Sequence, residues 1–348
     1  MILFSILVTG LGVIPREPYL LTAQNPYDHV QIYPENYFQS SFLLPLVANL
    51  LGFTSPTLFR TFSLALVLIA LAGFAILMRA KHGPRVGILA SGLLLAHPMT
   101  VVLLSWLGTP DGITVLLTSA TLSLGHVGPL FVMGLLGIIN HPAFVVSGLS
   151  ILVLRRASHE QGLRPSGLGA LVAGLVGGAV LVQAFLIINQ IDVFSRLDFI
   201  LQRGPWSLIK LNLVQLPAAV YSFHGTLWIA LGFSLLNIWR RNRAYTAIWL
   251  GLQLGYIIVT ALSADTTRVF TLMGWGPAIH CVLYAHRMVH EEEDAGAAFQ
   301  LRSVALVSVA LGLLAPRIYV WTGELHASPF HSFYVEIVHF LRQLLTLG

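Results

Sequence analysis

The chain has 348 residues, a mean hydropathy of +0.80 and only 9% charged residues, against about a quarter in an ordinary soluble domain, which excludes water as its solvent. Its apolar runs are long and do not alternate, so the membrane-embedded elements are helices rather than barrel strands. The net charge of +5 is spread over short clusters between apolar runs and reads as topology, not nucleic-acid binding, while a single cysteine, Cys281, excludes a disulfide framework.

A bilayer core of roughly 30 Å takes about 20 helical residues. The first apolar run, Ile2 to Ile14, reads as a short span or signal-anchor, because it lacks a basic leader and a small-residue cleavage site. Residues 15–55 follow as a polar first loop. Spans are then expected at 56–78 and 86–107, with short apolar pieces at 113–124, 127–139 and 143–154. Longer ones return at 168–188, 216–238, 245–262, 269–285 and 304–320. Gly174 and Gly178, four apart, predict close helix packing. The stretch 192–210 is too mixed in polarity to span. Within the amphipathic C-terminal segment 323–348, the stretch 331–347 carries Ser332, Glu336, His339 and Gln343 as a polar stripe at helical spacing, which predicts an amphipathic helix lying on the interface. The expected fold class is therefore an all-α polytopic membrane protein, one transmembrane domain of about ten or eleven spanning or half-spanning helices.

The positive-inside rule orients it. Arg79/Lys81/Arg85, Arg155/Arg156/Arg164, Arg240/Arg241/Arg243 and Arg287/Arg302 can all be cytoplasmic if the spans alternate, and they hold 11 of the 19 basic residues. Every other loop then faces outward. On that outer face fall Asp28, His29, Glu35, Asp111, His141, Asp265 and Arg268. Ionisable groups at span ends, drawn from distant parts of the chain, point to one functional pocket. Asp265 and Arg268 stand about one helical turn apart, spaced to pair with each other or to hold Arg268 for a phosphate. Asn140-His141-Pro142 sets an imidazole between two short helices. The Walker loop, the dinucleotide fingerprint, HExxH and the nucleophile elbow are all missing from the sequence. A carboxylate-rich outer site without nucleotide machinery suits a lipid-linked substrate. The rival reading is a transporter or flippase, which would also use short broken helices; a third is a non-catalytic scaffold.

Four stretches together resemble the bacterial GT-C glycosyltransferases: Tyr27-Asp28-His29 in the first loop, Pro110-Asp111-Gly112, Asn140-His141-Pro142, and Asp265 to Val269. The resemblance implies a polytopic plasma-membrane enzyme with its active site outside. It would take sugar from a polyprenyl-phosphate donor to a glycan, lipid or protein acceptor, with inversion. In that scheme Asp28, Asp111 and His141 are the catalytic candidates, with Asp28 as base. His29, Glu35, Asp265 and Arg268 bind substrate, Arg268 at the carrier phosphate. The chain departs from the family where His29 stands in place of a second adjacent acid. A divalent cation at Asp28 and His29 is the one cofactor to consider.

Overall fold

The computed structural model describes residues 2–9, 11, 17–30, 35–160, 162–291, 295–315 and 317–327. The chain opens with α1 (Ile2–Thr9), α2 (Glu17–Gln24), a 3-10 helix (Glu35–Ser40) and α3 (Leu43–Leu50). The first loop is thus helical. It has its own small core of Tyr19, Ala23, Phe38, Leu44 and Ala48, closed against Phe59 of the next helix.

That helix, α4 (Pro56–Ala96), starts on a Ser55 cap whose hydroxyl accepts the Leu58 N–H at 3.3 Å, with Pro56 in the first turn where its missing N–H costs nothing. It is two spans. At Gly83 (φ 80°, ψ 171°) the backbone enters a region open essentially to glycine alone, and Pro84 follows. A Cβ on Gly87 would sit 2.7 Å from the Arg79 Cα. Eight residues of straight helix separate such atoms by about 12 Å, so the chain folds back here, as expected between 78 and 86.

The expected span 86–107 breaks at His97-Pro98. Pro98 cannot continue the ladder, and the residue before it is pushed to an extended conformation (ψ 142°). The His97 ring then caps α5 (Pro98–Ser105) by accepting the Met99 N–H at 3.0 Å. The next helices, α6 (Asp111–Ser123), α7 (Val127–Asn140), α8 (Ala143–Ala157) and α9 (Gly167–Ile188), match their expected bounds closely. Gly134, Gly174 and Gly178 let α7 and α9 touch backbone to backbone; a Cβ on Gly174 would collide with the Phe131 carbonyl.

Residues 192–210 fold as α10 (Arg196–Arg203) leading into α11 (Pro205–Val214), and neither spans. The expected span 216–238 is also broken. It comprises α12 (Leu216–His224) and α13 (Leu227–Arg241), bent by 70° at Gly225. Then come α14 (Arg243–Ala261), α15 (Thr266–Glu291) and α16 (Ala295–Leu314). The last expected span ran to 320, but α16 stops at Leu314 and the chain enters a hairpin of β1 (Ile318–Trp321) and β2 (Glu324–Ala327). The stretch expected to form a C-terminal amphipathic helix, with its stripe from Ser332 to Gln343, lies outside the described residues.

Four helices among the described residues are long and apolar enough to cross a membrane, five if the bent pair counts as one span. That is fewer than expected because several apolar pieces are short or broken. The chain is nonetheless an all-α polytopic membrane protein. Ile69, Ile76, Ile88, Val176, Val180 and Leu254 lie exposed on its flanks, the surface lipid requires. At its centre is α15, buried at nearly every position from Thr266 to Ala285.

The helices give the bundle two ends. At one, Lys81 and Arg155 pair with Glu160, Arg287 donates to the Ser158 carbonyl, and Asn242 reaches the Ala157 carbonyl and the Tyr284 hydroxyl. The arginine-bearing loops therefore meet there, as the alternation of spans requires. At the other end, Asn140 bonds the Pro110 carbonyl, Arg268 bonds Asp111, and the Thr322 N–H bonds the Ala264 carbonyl.

Candidate functional site

Two sequence candidates 157 positions apart form the centre of the second end. Arg268 Nε and Nη2 donate to the two oxygens of Asp111 at 2.7 and 2.8 Å, a fork-to-fork pair. Its Nη1 donates to Asp265 at 3.1 Å. Asp111 opens α6 behind Pro110, where a carboxylate suits the helix dipole. Arg268 sits in the first turn of α15, three residues after Asp265. Asp111 is 1% exposed and Arg268 5%, so this is a buried ion cluster of two carboxylates around one guanidinium.

Asn140 closes α7 and braces the cluster. Its amide donates to the Pro110 carbonyl at 2.9 Å and the Thr114 hydroxyl at 3.0 Å, while its own carbonyl is buried without a partner among the described residues. Next to it, His141 accepts the Ala143 N–H at Nδ1 (3.1 Å), and its Nε2 lies 3.4 Å from Nη2 of Arg196. Burial, followed by the charges of Arg196 and Arg268, holds the His141 imidazole well below its ordinary range, so the ring is neutral. From α2, the Tyr19 phenol is fully buried within electrostatic reach of Arg268, Asp111 and Arg196. Burial pushes it up to about 12, and its hydroxyl has no hydrogen-bond partner among the described residues.

Beside this cluster opens a cavity of about 510 Å³. Tyr37 and Ser40 of the 3-10 helix, Pro142, the end of α9 and residues 190–196 line it. Gln183, Gln190, Asp192, Ser195 and Arg196 supply polar groups to the lining, and Leu186, Ile187, Ile191 and Phe194 supply apolar ones. Arg196 stands over the Tyr37 ring, 5.2 Å from its centroid.

Asp28 and His29 are exposed on the loop after α2 and make no hydrogen bond or ion pair with the ion cluster among the described residues. The Asp28 carboxylate accepts from the Asn25 amide. Gln39 secures the loop, donating to the Asp28 carbonyl at 2.8 Å and accepting the Val30 N–H at 3.0 Å. Gln39 belongs to the same 3-10 helix as Tyr37 and Ser40, so this loop is fastened to the cavity's rim. Glu35 begins that helix; its side chain lies outside the described residues. No group of three His, Cys, Asp or Glu among the described residues is arranged to hold a metal, and Asp28 and His29 gather no third ligand.

Sequence reasoning missed Arg196, Tyr19 and Tyr37. One signal was available for Arg196: with Arg203 and Lys210 it forms a basic group on the arginine-poor end, against the charge bias of the loops. A second cluster, at the opposite end, was also missed. There Glu160 meets Arg155 at 2.8 Å and His280 at 3.5 Å as well as Lys81, and Arg155 and Lys81 cap the carbonyls that end α6. Burial alone would raise the Glu160 carboxyl, but hydrogen bonds and charge from His280, Lys81 and Arg155 hold it well below the usual range.

Comparison of the chain with protein-family models, with curated proteins and with solved structures found no match.

Proposed function

We propose that this chain is a membrane glycosyltransferase, inverting and of the GT-C type, that takes sugar from a polyprenyl-phosphate carrier at the extracytoplasmic face of the plasma membrane. The observation that carries this reading is the cavity: lined by apolar and polar side chains together, at the end of an apolar bundle, walled by an arginine and adjoining a buried Asp–Arg–Asp cluster. A substrate with a charged head and an isoprenoid tail has that same mixture.

In the reaction, the acceptor oxygen bonds to the anomeric carbon as its proton passes to a carboxylate. The bond from that carbon to the phosphate oxygen breaks, and the electron pair leaves with the phosphate. Asp28 suits the base because its carboxylate is exposed and its loop is fixed by Gln39, the neighbour of Ser40 in the cavity lining. Asp111 and Asp265 do not suit that role, since both are engaged by Arg268. Their work is to fix Arg268 and, through Pro110 and Asn140, the corner that carries His141. No step is routed through a metal, because the described residues do not assemble a site for one.

The test is transfer of labelled sugar from a polyprenyl-phosphate donor by the protein in nanodiscs. Asp28→Asn should lower turnover by on the order of 10²–10⁴ while leaving carrier binding nearly intact. Full activity in that variant would remove Asp28 from the mechanism.

A transporter or flippase remains the second reading, favoured by one observation. The two helix breaks bring His97 Nε2 within 3.0 Å of His224 Nδ1 in the interior, and His224 Nε2 lies 3.1 Å from Gln253 Oε1. Polar groups at broken helices are what transporters place at their sites. Movement of lipid-linked sugar between leaflets without transfer would decide for it.

A further inference from the structure

The contact between His141 and Arg196 has two donors and no acceptor. A backbone N–H can only donate, so the Ala143 N–H at 3.1 Å makes His141 Nδ1 the acceptor. The neutral ring then carries its proton on Nε2. A guanidinium also only donates. Yet Arg196 Nη2 lies 3.4 Å from that Nε2. Two N–H groups so close are favourable only with an oxygen between or beside them that accepts from both.

The geometry points to a seat for a phosphate oxyanion between His141 Nε2 and the Arg196 guanidinium, at the edge of the cavity. The seat departs from the sequence expectation, which gave the phosphate to Arg268. Arg268 spends three of its five N–H donors on two carboxylates and is buried. Arg196 is exposed and makes no ion pair among the described residues. Its guanidinium is positioned by the Tyr37 ring, and the Ser195 hydroxyl fixes the start of its helix by accepting the Asp198 N–H at 3.0 Å. Among the other polar lining groups, Ser40, Gln183 and Gln190 are neutral, and Asp192 contributes a carboxylate. The seat therefore pairs one full positive charge with one oriented neutral donor, suited to a phosphate monoester or diester. This deepens the reading above and rests on it only for the identity of the carrier.

The experiment measures binding directly, with inorganic phosphate and farnesyl phosphate as probes, on the full chain in detergent micelles. Arg196→Gln should weaken binding on the order of tenfold to a hundredfold, the weight of a charge-assisted hydrogen bond. Arg196→Lys should restore part of it. Arg203→Gln, two turns along the same helix with its guanidinium 5.4 Å from the Phe199 ring, should change little. Binding of both probes would mean that phosphate alone is recognised; binding of farnesyl phosphate alone would mean a lipid headgroup; either supports the seat. Undiminished binding in Arg196→Gln, equal loss in Arg203→Gln, or no binding of either probe by the wild type would overturn it. Seat and activity fail separately. Phosphate binding without sugar transfer would leave the seat and remove the glycosyltransferase, and full transfer by Arg196→Gln would do the reverse.

Discussion

Arg268 shows what a buried guanidinium requires. Removing one carboxylate from a buried pair strands the remaining charge and costs on the order of 3–5 kcal/mol, so Asp111→Asn should lower the unfolding midpoint sharply in detergent. Asp265→Asn should cost less, because that side chain is 17% exposed and bonds through one nitrogen. Equal losses from the two would contradict the fork-to-fork assignment. Sequence spacing revealed the pair of Asp265 with Arg268, since both lie within one turn. It could not reveal Asp111 with Arg268, which only the packing of α6 on α15 brings together. Nor could it reveal Glu160, one acid in a basic loop with nothing local to mark it.

Glu160 supplies a pH dependence. Its folded pKa is depressed, so its contribution to stability is complete above the unfolded value of about 4.3 and is lost as the pH falls through and below it. The wild type should lose thermal stability as the pH falls from about 5 to about 3. Glu160→Gln should start less stable at neutral pH, with Lys81 and Arg155 left uncompensated, and lose less over that interval. Parallel profiles for the two proteins would assign the acid sensitivity to other groups.

At the scale of elements, hydrophobic periodicity and glycine spacing carried most of what could be read. The bounds of α6 to α9 follow from Pro, Gly and His-Pro punctuation, and Gly174 and Gly178 foretold a close helix approach whose partner, α7, only the fold reveals. The breaks at His97 and Gly225 escaped because both interrupt otherwise unbroken apolar runs. There hydropathy is silent, and conformation is settled by Pro98 and by the left-handed Gly225 (φ 59°). The glycine contact gives a matched test. Leucine at 174 should force the helices apart and destabilise by about 1–3 kcal/mol or more. Leucine at 177, where an added Cβ meets nothing within 4 Å, should be nearly neutral. Unfolding of both variants in one detergent is the measurement, and similar midpoints would show that α7 and α9 part without penalty.

The molecule as a whole has an arginine-rich end and an end carrying the ion cluster and cavity, with α15 running from Arg268 at one to Arg287 at the other. Loop charge implies that the first end is cytoplasmic, and the proposed chemistry depends on that direction, because a polyprenyl-linked donor used outside the cell must meet the cavity there. Cysteine labelling in sealed vesicles reads it. The native thiol, Cys281, is buried and should stay silent to a membrane-impermeant maleimide. Arg85 and Arg240 make suitable cysteine sites at the arginine-rich end: both are exposed, one beside the fold-back of α4 and one at the end of α13. His29, also exposed, serves at the opposite end. Arg85→Cys and Arg240→Cys should react only in inside-out vesicles, and His29→Cys only in right-side-out ones. Reaction of His29→Cys from the same side as Arg85→Cys would break the two-ended bundle itself. A clean reversal, with each site labelled from the side opposite to that expected, would keep the fold and turn the cavity to the cytoplasm, where the glycosyltransferase reading loses its donor.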